Sequence, residues 1–373
     1  VRLRSIGRGA VWRGCISIFG INGYIDWPWI SQDTAHMLDI NKKIKQIDSC
    51  GAQSIPSDVL TSSEPLVLKA LVADWPLTKL GQESSQKASD YLLQFYKETP
   101  VNVALGDPST QGRVFYNSDC TGFNYKSLRV NMKILLNKLQ EHSEESSPPT
   151  IYMASTMIDR WLPGFRKEND LLFDSIDPLA SIWIGNRTRI AAHYDLPDNI
   201  ACSTVGRRRF TLFPPEQMDN LYPGPIDLAP GGQSISLVDF HNPDFDKYPK
   251  FRHALEAAQV AELEPGDAVF IPSMWWHHVE SLDPLSVLVN YWWRQTPRYM
   301  SSPMNTLNHA LLTMRHLPPE QKAAWQNIFN RYIFDADDQT HSHIPSEGLG
   351  ILGSLDEALA KNIESAVLSK LKR

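Results

Sequence analysis

Metal chemistry is within reach of His193 and Asp195, in the run His193-Tyr194-Asp195, together with one of the two histidines in Trp275-Trp276-His277-His278. Two imidazoles and one carboxylate hold Fe(II) on one face and leave the opposite face open for oxygen chemistry. In an extended strand, side chains at i and i+2 leave the same face, so His193 and Asp195 reach one ion while Tyr194 turns away. The third ligand must arrive from another strand, and a barrel brings such distant residues together inside. A bare His-x-Asp is a weak signal, because ordinary hydrogen-bonded core histidines produce it too. Its weight comes from its surroundings.

The elements that must position these residues can be read around them. Glu264-Pro265-Gly266-Asp267 reads as a turn, and Ala268-Val269-Phe270-Ile271-Pro272 as a short buried strand that delivers Trp275 to His278 just beyond its end. Strands are expected to dominate from Ile151 to Trp293. Before them, Ser84 to Thr99 has helical spacing (Ala88, Leu92, Leu93, Tyr96) suited to covering a sheet, and Phe123 to Leu139 predicts a second helix. Gln32 to Ser63 mixes a short helical pattern with polar linker, and Glu141 to Thr150 reads as a solvent loop. The Gly-, Pro- and Asp-rich stretch from Ile226 to Phe251 is long for a connection, which suits a wall of the substrate entrance as well as a surface excursion. After Pro303 the period becomes helical, with Met304, Leu307, Leu311 and Met314 on one face, and Pro318-Pro319 opens another helix carrying Trp325, Ile328, Phe329 and Tyr332. These helices either pack on their own barrel or build a dimer interface. His341 and His343 lack an acidic or thiol neighbour and read as surface loop. The chain thus divides into an extension and linker (1–63), a core (64–299) and a helical region (300–373).

Composition agrees with a soluble globular protein: 373 residues, 42% hydrophobic and 21% charged. The net charge of -6 supplies no global basic field, so nucleic acid is not indicated except through a local groove. Several of the eleven tryptophans (Trp161, Trp183, Trp275, Trp276, Trp292, Trp293) fall in the expected core, where an apolar barrel shields reactive chemistry from water. Cys15, Cys50, Cys120 and Cys202 are scattered without a C-x-x-C pair, which favours a reducing, cytoplasmic setting over a disulfide framework or a zinc site. Eighteen consecutive apolar residues occur nowhere, so no transmembrane span is expected. Val1 to Ile30 carries Arg2, Arg4, Arg8 and Arg13 and no acid before Asp26, superficially like an organellar transit peptide, although its Gly and Trp content fits an unusual extension better.

His193-Tyr194-Asp195, Phe213-Pro214-Pro215, Leu221-Tyr222-Pro223, Pro265-Gly266-Asp267, Ile271-Pro272, Trp275 to Ser281 and Asn290-Tyr291-Trp292 appear in one order and spacing. In these motifs the chain, from about Pro65 to Arg294, resembles the cupin-like, JmjC-related 2-oxoglutarate oxygenases, especially their asparaginyl-hydroxylase branch. Lys69 to Pro76 likewise resembles the family's opening strand and Trp-Pro turn. The resemblance implies a mostly β fold with some α: a double-stranded β-helix, or jelly-roll, flanked by N-terminal helices and a C-terminal helical region.

It also implies the site. The family pattern puts the third iron ligand on the first histidine of the pair, His277, and leaves His278 to support or packing. The co-substrate 2-oxoglutarate chelates iron through its 1-carboxylate and 2-oxo group, and its distal carboxylate needs a cation. Gly206-Arg207-Arg208-Arg209-Phe210 supplies one, on a strand whose alternation sends only Arg208 inward if Arg207 and Arg209 lie on a solvated face, the reading taken for those two. The family has lysine at the position of Arg208; arginine keeps the charge and adds a bidentate fork. Tyr152 matches a tyrosine that helps hold the distal carboxylate, Asn199 and Asn290 match asparagines lining the co-substrate end, and Trp292 is expected to pack near the iron. A family threonine is replaced by Ile190, which removes one hydroxyl donor. The implied activity uses Fe(II), 2-oxoglutarate and O2 to hydroxylate a protein or peptide side chain, with succinate and CO2 as co-products and a homodimer formed through the C-terminal helices. The alternatives are the same chemistry on a small molecule, a nucleic-acid base or an N-methyl group, where hydroxylation demethylates, and a cupin that only binds a ligand.

Overall fold

The computed structural model describes residues 38–372 apart from positions 39, 49–50, 54 and 175. The reading of residues 1–30 as a leader or extension, and Cys15 and Cys50, lie outside the described residues. Cys120 and Cys202 are free thiols. The chain forms two compact units that part between Tyr291 and Trp292.

The first unit is built on two sheets. Its strands are β1 (Lys45–Ile47), β2 (Leu66–Leu68), β3 (Val101–Gly106), β4 (Arg113–Val114), β5 (Tyr125–Val130), β6 (Thr150–Met157), β7 (Leu179–Gly185), β8 (Arg189–Tyr194), β9 (Asp198–Val205), β10 (Arg208–Phe213), β11 (Gln259–Leu263), β12 (Ala268–Ile271), β13 (Trp276–Ser281) and β14 (Ser286–Trp293), whose last two residues fall in the second unit. Nine make one sheet in the order β1-β2-β12-β9-β14-β7-β6-β3-β5, and five make the other in the order β11-β10-β13-β8-β4. Apolar side chains from both sheets share one core: Val67, Ala201, Val269 and Leu288 from the larger, and Phe210, Leu212, Ala261 and Val279 from the smaller. This is the jelly-roll that the resemblance implies.

Local chemistry explains the elements nearest the site. β12 reads Ala-Val-Phe-Ile and is buried at every residue, as a central strand covered on both faces must be. The turn before it is fixed by Asp267, which accepts from the backbone N–H of Ala70 at 2.9 Å and of Glu264 at 3.0 Å and pairs with the Lys69 ammonium. Gly206 joins β9 to β10 at φ 71°, where a Cβ would lie 2.5 Å from the Leu285 carbonyl oxygen, so only glycine fits.

The helices α1 (Ser57–Leu60), α2 (Pro76–Glu83), α3 (Ser85–Phe95), α4 (Met132–Glu141), α5 (Ile158–Trp161) and α6 (Phe251–Ala257) complete this unit. Pro76 opens α2, and the Ser84 hydroxyl caps α3 by accepting from Lys87 N–H at 3.1 Å. The helix expected over Phe123 to Leu139 starts later. Tyr125 to Val130 pairs with β3 as the sheet's edge, and the Asn131 side chain caps α4 by accepting from Lys133 N–H at 2.8 Å. Cross-strand pairing overrides helical spacing there, and exposed Lys126 and Arg129 protect the edge.

The stretch between β10 and β11 does two things. Phe240, Phe251 and Ala254 cover the outer face of the small sheet at Ala192, Tyr194, Phe213 and Trp276. Ahead of them, Ile235 forms a bridge with His193, and Ser236 N–H donates to the Ala192 carbonyl at 2.7 Å, so this part runs along the open side of β8.

The second unit holds α7 (Pro303–Thr313), α8 (Pro319–Phe329), a π-helical turn over Asn330–Phe334 and α9 (Glu357–Leu371). It agrees with the helical period read after Pro303. No residue of α7 or α8 is buried.

Candidate metal centre

His277 is the direct partner of His193 in the β8–β13 ladder, and Leu212 of β10 is its partner on the other side. All three face the interior. β8 carries one extra residue: two steps on β13, from His277 to Val279, match three on β8, from His193 back to Ile190. This bulge lets Ile190 and His193 both point inward, although strict alternation over three residues would separate them. Ile190 packs against the shared core, so an apolar surface stands where the family has a hydroxyl.

Ligand atoms of His193, Asp195 and His277 lie within 4.8 Å of one another. The imidazole rings are 4.2 Å apart, and His277 Nε2 is 3.7 Å from Asp195 Oδ2. Each imidazole is held by its own strand: His193 Nδ1 is 2.9 Å from the Ala191 carbonyl and His277 Nδ1 is 3.0 Å from that of Trp275. A carbonyl only accepts, so each Nδ1 carries the hydrogen and each Nε2 keeps its lone pair for an ion. Burial, then the nearby His193 charge, lowers the His277 pKa to about 4 against the pull of Asp195. The imidazole is therefore neutral at pH 7, the form that binds metal.

The neighbouring imidazole faces the other way. His278 stacks on Phe240 with centroids 4.5 Å apart, and its buried Nδ1 has no hydrogen-bond partner among the described residues. Glu280 lies beside it, 3.8 Å from Nδ1. Burial alone would raise that carboxyl, but a hydrogen bond from His241 and the charges of His278, His241 and Arg209 hold it at about 2.

Arg208 enters the barrel from β10 and is 3% exposed. Its flanking arginines point outward and are paired. Arg207 meets Asp283 at 2.9 Å, and Arg209 meets Glu262 at 2.5 Å. Among the described residues no carboxylate pairs with Arg208, and its Nε is buried without a hydrogen-bond partner. Burial lowers its pKa to about 10, which still leaves the guanidinium charged at pH 7. An unpaired charge in such a place costs several kcal/mol, on the order of what losing one partner of a buried pair costs.

Facing this charge, four adjacent strands of the large sheet carry a polar and aromatic row. Asn290 of β14 donates to Asn199 of β9 at 3.2 Å and accepts from Trp183 of β7 at 2.7 Å. The Trp183 ring stacks on Tyr152 of β6 at 6.1 Å. Burial raises the Tyr152 pKa, with the Arg208 charge opposing, so its hydroxyl remains a donor. Trp183 was legible only as a core aromatic; its offset from buried Ile182 and Ile184 was the available signal. Trp292 is a half-buried residue near the end of β14 and begins the second unit, so it is not grouped with this row.

Residues 52–299 match the cupin-like domain family, and the chain belongs to it. Its relatives include proteins named as lysine-specific demethylases, in line with the JmjC-related resemblance of its motifs. The chain is 39% identical to Lysine-specific demethylase JMJ31 of Arabidopsis thaliana over 33% of its own length and 22% of the demethylase. It is 32% identical to human HSPB1-associated protein 1 over 40% of its length and 30% of that protein. Likeness to tRNA wybutosine-synthesizing protein 5 of Gallus gallus extends further, at 30% identity over 75% of the chain and 91% of the relative. The chain thus spans about a fifth to a third of the first two relatives. None of its described helices is long and apolar enough to cross a membrane.

The buried His278 predicts a pH dependence. Burial lowers its pKa from 6.5 to about 4, so between these values the unfolded chain takes a proton that the folded chain refuses. Stability therefore falls as pH drops from 6.5 through about 4. His278→Phe keeps the stack on Phe240 and removes the titration. Urea unfolding of the metal-free protein should show a smaller loss over this range in the variant; equal losses would mean that His278 contributes nothing to it.

Proposed function

We propose that the chain is an Fe(II)-dependent oxygenase that uses 2-oxoglutarate and O2 to hydroxylate a C–H bond of a protein or peptide side chain, releasing succinate and CO2. The observation that carries this reading is Arg208, a charged guanidinium lacking an anion among the described residues, inside the barrel that holds a His-Asp-His triad. The donor set fits ferrous iron: two imidazoles whose Nδ1 atoms meet backbone carbonyls and whose Nε2 atoms are left for the ion, and one carboxylate, with faces left over for a bidentate oxo-acid and oxygen. When bound, iron supplies the oxygen activation coupled to decarboxylation of the oxo-acid.

The chain's residues supply binding and exclusion of water. His193, Asp195 and His277 hold the ion. Arg208 takes the distal carboxylate through its planar fork, and Tyr152 adds a hydroxyl donor. Asn199 and Asn290 line the same end with amides already fixed by each other and by Trp183, so little ordering remains to be done on binding. The apolar core, Ile190 included, keeps water from the reacting atoms. This activity resides in a core of residues 64–299, between an extension over 1–63 and a helical region over 300–373, and operates in the cytoplasm. Protein substrates are supported by the names of the demethylase and the HSPB1-associated relatives. A second reading, a tRNA nucleoside as substrate, is favoured by one observation: the relative matched over 91% of its length is named for wybutosine synthesis in tRNA. The net charge of -6 weighs against it.

Succinate formation from 2-oxoglutarate, followed by mass spectrometry for one added oxygen in peptide arrays and in tRNA digests, tests both readings. A purified iron-loaded chain that never turns over 2-oxoglutarate would remove the enzyme. His193→Ala or Asp195→Ala should abolish iron binding. Arg208→Ala should raise the KM for 2-oxoglutarate roughly 10- to 100-fold, the scale of a charge-assisted hydrogen bond, with iron affinity unchanged. An unaltered KM would take Arg208 out of its role.

The same reading includes a homodimer through the C-terminal helices. Leu312, Ile333 and Phe334 are 77%, 64% and 73% exposed, and Leu311, Met314, Trp325 and Phe329 line an apolar groove of about 490 Å3. Apolar side chains gathered in this way mark an interaction surface. Light scattering on the full chain should give a dimer, and Leu312→Glu with Phe334→Glu should give a monomer with unchanged circular dichroism; a wild-type monomer at micromolar concentration would end this part of the reading.

A further inference from the structure

The triad sits where the chain changes sheets twice. After β8, Asp195-Leu196-Pro197 carries it to β9 in the large sheet; after β12, Pro272-Ser273-Met274-Trp275 carries it back to β13 in the small one. On one side of these crossovers His193 pairs with His277 and Tyr194 with Trp276, and on the other Asn199 pairs with Ile271. Asp195 belongs to neither strand. The position of its carboxylate is therefore set by the crossover, whereas both histidines are set by a ladder.

Hydrogen bonds join the two crossovers. Met274 N–H donates to the Asp195 carbonyl at 2.9 Å, Ser273 N–H donates to Asp198 Oδ1 at 2.8 Å, and the Ser273 hydroxyl donates to the Leu196 carbonyl at 2.7 Å. Asp198 is 5% exposed, which makes its bond stronger and its loss costlier than at the surface. Met274 has φ 69°, a left-handed conformation that a side chain of its size rarely adopts and that surrounding bonds must enforce.

We infer that Asp198 and Ser273 are positioning residues for the metal centre: their carboxylate and hydroxyl clamp the two crossovers together and so set the separation of Asp195 from His277. The inference rests on the triad being an iron site. Neither residue is one of the three candidate ligands, and neither belonged to the motifs that drew attention to the triad. Groups that orient a ligand from behind are worth about 10- to 100-fold in metal affinity.

The test is Co(II), a spectroscopic substitute for Fe(II), titrated calorimetrically into the metal-free full chain, with the visible absorption recorded at saturation. Asp198→Ala should bind Co(II) about 10- to 100-fold more weakly, with an altered band because the carboxylate is displaced. Asp198→Asn keeps an acceptor oxygen toward Ser273 N–H and should restore both readouts. Ser273→Ala loses only the hydroxyl bond and should fall between, and it decides the matter by itself if Asp198→Ala does not fold. A merely structural role would lower the melting temperature and leave affinity and spectrum at wild-type values; that result overturns the inference, as does an Asp198→Asn variant as weak as Asp198→Ala. A wild-type chain that binds no Co(II) overturns the iron reading itself, a different outcome from wild-type binding matched by the variants.

Discussion

His193 and His277 meet as ladder partners on β8 and β13, and the rest of the site is arranged by that pairing. A ladder fixes opposed residues to within a fraction of an ångström, because slipping one step would break its hydrogen bonds and turn every side chain to the other face. The two imidazoles are thus aligned by backbone bonds that do not depend on the ion. Each ring is then turned by its own strand, through a carbonyl two residues back, so that Nδ1 is held and Nε2 is turned away from the strand. The third ligand lacks such a ladder and relies on the crossovers beside it.

Electrostatics divides the small sheet into two faces. Outside, arginines and acids neutralise one another in pairs, as Arg207 does with Asp283 and Arg209 with Glu262. Inside, one guanidinium stands among apolar residues, close enough to the Tyr152 hydroxyl for each to influence the other's charge. A folded protein tolerates that arrangement when the charge has a use, since burial without an anion is destabilising. The amide and indole row across β9, β14, β7 and β6 places neutral hydrogen-bonding groups opposite and adds no competing charge.

Much of this was legible along the chain, though unevenly. The short buried strand Ala268–Ile271, the turn before it, the helix over Ser85–Phe95 and the helical period after Pro303 follow from local pattern, and the structure has them. Tyr125–Val130 misled, because its residues suit an edge strand and a helix about equally and only β3 decides between them. The stretch from Ile226 to Phe251 was read as one loop; in three dimensions its first part follows β8 and its second covers the back of the small sheet. Asp198 and Ser273 were silent, since an acid and a serine 75 residues apart carry no mark of being hydrogen-bonded.

The sequence by itself determined the donor types, the i, i+2 placement of His193 and Asp195, and the alternation that puts Arg208 on the opposite face from Arg207 and Arg209. These are properties of one strand, dictated by the pleat, and they need no partner to be read. Tertiary structure alone decided the convergence of His277 with His193, the bulge that turns Ile190 inward, the lack of an acid beside Arg208 among the described residues, and the bonds that hold Asp195 in place. Those depend on which strands become neighbours, and that is settled by burying two sheets against each other, a cooperative outcome that no single stretch encodes.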